Sequence, residues 1–318
     1  MPAPRKTAVV ALLVAAAVAV PAPVQAAPAG GAAWSVQPSS RTGPGNRPFF
    51  TYDLAPGAAV TDYVAVTNLG TSPQTFTVYA SDAFTTATGG YDLLPADRPA
   101  ADAGSWIRLG RRIVTVPPRS RADIPFSLTV PPNATPGDHA AGIVAAVTAT
   151  SATAAGQTTR LEQRVGARVY LRVTGHLRPG LRVDGLRAAY RPGAVPFAGR
   201  LELSYTVRNT GNTRIAPGQQ AAVTGLFGLP VGSTTLDPLP ELLPGAALER
   251  HATVSGPALL RLTAAVSLTG APARSTVTVW APSWYYLLLL LLPAAIWLLR
   301  RRRPAPEDST DPPAEADR

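Results

Sequence analysis

The segment Arg160–Val173 constrains the fold most, because its side chains alternate with a period of two over fourteen residues. Leu161, Val165, Val169, Leu171 and Val173 fall on one side. Arg160, Glu162, Arg164, Arg168, Tyr170 and Arg172 fall on the other. A helix would scatter these groups around its circumference, whereas a strand sorts them onto two faces. The same alternation recurs at Ile124–Val130 and Leu201–Val207, and each run stops at a turn signal: Pro131-Pro132 after the first, Asn209-Thr210-Gly211-Asn212 after the second. With 34 prolines and 27 glycines as punctuation, and no amphipathic helical period in the body of the chain, the pattern predicts many short antiparallel strands.

The expected fold class is therefore all-β, with two immunoglobulin-like β-sandwich modules in tandem and a single C-terminal transmembrane helix. The first module is expected over 34–174 and the second, a partner-binding or spacer module, over 181–279. A small polar stretch, Thr148–Thr159, reads as a hairpin tip, and Pro179-Gly180 as the boundary between modules. An alternating strand runs into Asn68-Leu69-Gly70 as another does into Asn209-Thr210-Gly211, so the two modules read as related sandwiches.

The ends set the expected compartment. Arg5 and Lys6 precede an apolar run, Ala8–Val20, and a small-residue Val24-Gln25-Ala26 site, the pattern of a signal peptide over 1–26. Near the other end, Trp284-Tyr285-Tyr286 lead into six leucines, Leu287–Leu292, and on to Leu299, followed by Arg300–Arg303. Residues 283–299 are thus expected to cross the membrane once, with the basic flank and disordered tail of 300–318 on the cytoplasmic side and the body of the chain outside. The sortase motif Leu-Pro-x-Thr-Gly is missing. An extracytoplasmic body redirects the net charge of +10 from nucleic acid towards anionic wall polymers and lipid head groups.

Several chemistries are excluded or disfavoured. The absence of cysteine removes disulfides, thiolate catalysis and zinc–thiolate sites. Three histidines and no Gly-x-Ser-x-Gly elbow leave no recognisable nucleophile–base pair, so no enzyme and no cofactor are expected. Asp82, Asp92, Asp97 and Asp102 match no calcium loop, and no metal site is assigned.

Ligand-binding candidates are arginines and one tyrosine. Arg160, Arg164, Arg168 and Arg172 recur every four residues, about 13 Å apart along a strand, a row that fits carboxylates or phosphates of a polymer or is simply a solvated face. Arg108, Arg111 and Arg112, beside Trp106 and with Tyr91 in a Gly89-Gly90 loop, form a second candidate group. There the aromatic rings stack on sugars, or Trp106 fills the core of its own strand.

Residues 34–174 also resemble the peptidoglycan-binding domain of the WxL-interacting proteins of Gram-positive bacteria. The resemblance is carried by Trp34-Ser35-Val36-Gln37-Pro38, by Leu54-Ala55-Pro56-Gly57 before Asp62–Asn68, by Pro131–His139 leading to Gly142-Ile143-Val144, and by Arg164–Val173. It implies an immunoglobulin-like module that binds peptidoglycan, followed by a module that contacts a partner protein. The expected function is a membrane-anchored surface protein that binds peptidoglycan or an associated anionic wall polymer, with another surface protein as a further candidate partner. The alternative is a tethered scaffold or chaperone-like subunit whose sheet edge accepts a strand from a secreted partner.

Overall fold

The computed structural model describes residues 33–152, 158–194, 198–257, 260–282 and 285–301. The signal peptide expected over 1–26, the tail beyond Arg301 and part of the hairpin tip lie outside the described residues.

The first part of the chain forms β1 (Trp34–Ser40), β2 (Gly43–Pro44), β3 (Phe50–Leu54), β4 (Ala59–Asn68), β5 (Gln74–Thr85), β6 (Tyr91–Leu93), β7 (Ile107–Leu109), β8 (Ile113–Val116), β9 (Arg121–Thr129), β10 (Gly137–Ala152) and β11 (Thr158–Val173). One sheet has the order β2-β1-β4-β9-β7. The facing sheet runs β3-β11-β10-β5-β6, with β8 also on β5. Phe50, Phe76, Ile124, Phe126, Leu128, Ile143 and Leu171, drawn from both sheets, fill the space between them. Trp34 belongs to this core, stacked obliquely on Phe76, and its indole N–H donates to the Ala145 carbonyl at 3.2 Å.

The second part forms β12 (Leu181–Pro192), β13 (Gly199–Asn209), β14 (Gln219–Thr224), β15 (Pro230–Leu236), β16 (Ala247–Ser255), β17 (Arg261–Leu268) and β18 (Ala273–Trp280). Its sheets have the orders β12-β13-β16 and β15-β14-β17-β18, packed over Leu201, Leu203, Val207, Leu242, Leu248, Leu262 and Val266. Both parts are two-sheet sandwiches, because strands with one apolar face must cover that face with another sheet.

A buried asparagine repeats between them. Asn68 ends β4, and its side-chain carbonyl accepts the Gly70 N–H at 2.9 Å. Its amide donates to Ser72 O at 2.8 Å and Val116 O at 3.0 Å. Asn209 ends β13 and does the same with the Gly211 N–H at 3.0 Å, Thr213 O at 2.7 Å and Leu242 O at 3.0 Å. Each side chain thus closes the turn after its strand and ties that turn to a neighbouring segment. These are bonds an aliphatic side chain would leave unmade.

The apolar run expected to span a membrane does form a helix, α1 (Tyr285–Arg301), with Pro293 inside and Arg300 and Arg301 in its last turn. Seventeen residues at 1.5 Å each give about 25 Å, against about 30 Å of hydrocarbon. Among the described residues no helix is long and apolar enough to cross a membrane.

Candidate functional sites

The arginine row of β11 is mostly engaged by the protein itself. Arg160 pairs with Thr150 in the β10–β11 ladder, but its side chain lies outside the described residues. Arg164 reaches the Leu93 carbonyl at 3.4 Å. Arg168 lies 4.8 Å over the ring of Tyr91. Arg172 grips Asp138 with two bonds, Nε to Oδ1 at 2.7 Å and Nη2 to Oδ2 at 3.0 Å. Tyr91 is half-buried rather than displayed on its loop. Its hydroxyl donates to the Ala141 carbonyl at 2.5 Å, and burial pushes its phenol pKa well up.

Arg164, Arg168 and Arg172 find these partners within the first module, and the second module packs on the same face at Tyr170. Tyr170 would face water in an isolated sandwich, yet it is buried against Leu243 and Ala140. The Arg214 guanidinium sits 4.0 Å over its ring, and Phe49 meets it edge-on. Asp138 is the polar centre of this junction. Besides Arg172, it accepts the Arg214 backbone N–H at 2.9 Å, and its own N–H donates to Asn212 O at 2.7 Å. Burial alone would raise the Asp138 pKa, but Arg172 and the Arg214 N–H outweigh it and hold the carboxyl below its usual range. The Asn212 side chain completes the seam, donating to Pro136 O and His176 O while its carbonyl accepts the Arg178 N–H. Asp138 was visible in the sequence only within the resemblance and Asn212 only as part of a turn signal, and none of Asp138, Asn212, Arg214 or Leu243 was a candidate ligand-binding residue.

The second candidate group is partly assembled. Arg108 and Arg112 do line a cleft of about 540 Å³ between β5 and β7, joined by Arg98 and without Arg111. Tyr79, Ile107 and Leu109 are among its other walls, and no lining residue is acidic. Arg111 lies in the exposed turn between β7 and β8. Trp106 is half-buried on the first module's core, tilted against His139 at 4.9 Å between ring centres.

The remaining titratable groups serve the framework. His139 has an acceptor at each ring nitrogen, the Asp102 carboxylate at 2.8 Å from Nδ1 and Thr135 O at 2.9 Å from Nε2. Burial lowers its pKa, but Asp102 and the Thr135 carbonyl more than offset this, so the imidazole titrates above its ordinary value. With both nitrogens turned to acceptors it holds protons instead of taking one from a substrate. Asp82 accepts three backbone N–H groups, from Ala101, Asp102 and Gly104, and so shapes the loop before β7.

One backbone feature is not used by the fold. β11 pairs with β10 along all of its sixteen residues, but with β3 only over Val169–Val173. The outer edge of Thr158–Arg168, eleven residues or about 36 Å, has no ladder partner among the described residues. Val165 on this stretch is half-buried, and Leu161 is 53% exposed.

No family model and no curated protein matches this chain. Solved structures similar to it include a chaperone–tip adhesin complex of CFA/I fimbriae biogenesis, with a TM-score of 0.37 at 10% identity over 79% of this chain and 100% of that one. Others are the Pseudomonas aeruginosa CupB2 chaperone (0.30, 12%, 74% and 99%) and the Salmonella enterica SafA pilin in complex with the SafB chaperone (0.32, 13%, 77% and 96%). At TM-scores under 0.5, these likenesses carry no weight for what the chain does.

Proposed function

We propose that this chain is a non-catalytic, membrane-tethered surface scaffold whose first module accepts an extended segment of a partner protein along β11. The observation that carries the reading is the eleven-residue open edge of Thr158–Arg168. Natural sheets cover or shorten such edges, because a row of unpaired N–H and C=O groups recruits another strand. Here the edge is long, and Leu161 is exposed on it. A partner strand gains ladder bonds from the backbone and side-chain selectivity at alternate positions. The second module holds the other end of β11 through Leu243 and Arg214 on Tyr170.

The tether is assigned to α1. It is apolar around its circumference, with Leu291, Leu292, Trp297 and Leu299 each more than half exposed, so it calls for an apolar environment outside this chain. Arg300 and Arg301 fit the head-group side of a cytoplasmic leaflet, and a bilayer thins modestly around a short helix.

The second reading is wall binding, as the resemblance to WxL-interacting proteins implies. It is favoured by one observation, the cleft with Arg98, Arg108 and Arg112 and no carboxylate in its lining, a setting for anionic groups of a polymer.

Two measurements separate the readings. A photo-crosslinking residue at Glu162 is expected to join the protein in living cells to one discrete partner, with no product from the same residue at Thr235 on β15. Purified full chain in nonionic detergent is expected not to sediment with protein-free sacculi. Retention lost on Arg108→Ala, with no crosslink at Glu162, would replace the scaffold by the wall reading.

A further inference from the structure

The second module has an end that differs from the rest of the surface. Described residues of four connections meet there: 193–194 and 198, 225–229, 256–257 and 260, and 281–282. The strand registers bring them together. Thr224 faces Thr263, Arg261 faces Trp280 and Arg200 faces Ser255. The Gly256 N–H bonds to Gly199 O, and the Tyr285 hydroxyl donates to the Ala194 carbonyl at 3.2 Å, which fixes the start of α1 at this same end.

Large apolar side chains face outward around this end. Phe227 is 98% exposed, Trp280 68% and Leu229 64%, with Leu226 and Leu260 close to half exposed. Phe227 has a φ of +57°, a left-handed conformation that is strained for a bulky side chain, and its ring lies outside the protein. No acidic residue occurs in 193–200, 225–230, 256–263 or 280–285; Arg261 is exposed at the rim, while Arg200 is paired with Glu202 at 3.7 Å. A group of exposed apolar side chains with positive charge beside it, continuous with an apolar helix, matches one occupant: the interface of a lipid bilayer with anionic head groups.

We propose that the 225–229 tip inserts into the membrane interface beside α1, with Phe227 and Leu229 among the acyl chains and Arg261 at the head groups. This rests on the reading of α1 as a tether and adds a second contact. The second module then stands on the membrane in a fixed orientation instead of swinging from a flexible stalk.

The absence of cysteine makes the test direct. The full chain carrying Leu229→Cys with a nitroxide is reconstituted into phosphatidylethanolamine–phosphatidylglycerol vesicles, with Thr234→Cys on exposed β15 as the reference site. Collision rates with oxygen and with a water-soluble nickel chelate are then measured. The expected result is a several-fold preference for oxygen at 229, reversed at 234. Phe227→Asp is expected to bring 229 back to the chelate-accessible pattern while flotation with vesicles is unchanged. Chelate access at 229 in chains that float overturns the tip insertion and leaves the tether standing. Spin–spin broadening between labels at 229 also overturns it, in favour of contact between copies. Chains that fail to float with vesicles overturn the tether and the insertion together.

Discussion

The Asp138–Arg172 pair makes a prediction whose sign depends on which partner is removed. The Asp138 side chain is 5% exposed and that of Arg172 43% exposed. Replacing Arg172 by Met strands a carboxylate that burial isolates from water and that keeps only the Arg214 N–H at 2.9 Å. Removing one partner of a buried ion pair costs about 3–5 kcal/mol. Asp138→Asn instead leaves the arginine unpaired where water already reaches it, and the loss is that of charge-assisted bonds, about 1–3 kcal/mol. In the double variant no buried charge remains, so Asn at 138 should restore about 1–2 kcal/mol relative to Arg172→Met alone; with the cost of Asp138→Asn itself, the coupling between the two positions is about 2–5 kcal/mol. The wild-type pair also has a defined pH response. The folded pKa of Asp138 lies below its unfolded value near 3.9, so its stabilisation is full above that value and is lost as pH falls through the lower folded pKa. Urea unfolding of the full chain in nonionic detergent, repeated from pH 3 to 7, measures all four proteins. Equal costs for the two single variants, or a double variant less stable than Arg172→Met, would refute the assignment of Asp138 as a buried charge held by Arg172.

Other expected outcomes can be checked separately. His139 has a folded pKa above 6.5, so its contribution is complete below the unfolded value and is lost as pH rises through the folded one; ring NMR titration should show this, with Asp102→Asn lowering the midpoint. Asn68→Ala and Asn209→Ala should each cost roughly 1–3 kcal/mol in thermal unfolding, because buried carbonyls lose their donor. A Cβ at Gly166 would sit 2.6 Å from Leu93 Cδ1, so Gly166→Val should cost about 1–3 kcal/mol and be partly rescued by Leu93→Ala.

Strand-level structure was legible because it depends on local rules. Alternation at Arg160–Val173 and Leu201–Val207 sorts side chains onto two faces, and Pro131-Pro132 and Asn209–Asn212 end their strands, whatever the rest of the chain does. The recurring Asn-x-Gly turns were visible as text, but the shared side-chain role of Asn68 and Asn209 was not, since their acceptors at Val116 and Leu242 come from distant segments. Arg164, Arg168 and Arg172 read as a displayed row for the same reason: their partners Leu93, Tyr91 and Asp138 lie between 34 and 77 residues away. Burial of Tyr170 depends on a whole second module and leaves no trace in its own strand. The open edge of β11 is a property of pairing, where β3 is five residues long and β11 sixteen.

The direction of β11 also determines how this molecule bears load. From the open edge the strand runs through Arg172 and Val173 into the junction, then into the second module and α1. A partner segment laid along Thr158–Arg168 and drawn away from the C-terminal helix is pulled parallel to the strands. Its ladder bonds then resist together, in shear, and no end of the segment is peeled off one bond at a time. Such a joint releases slowly under tension even where its equilibrium affinity is modest.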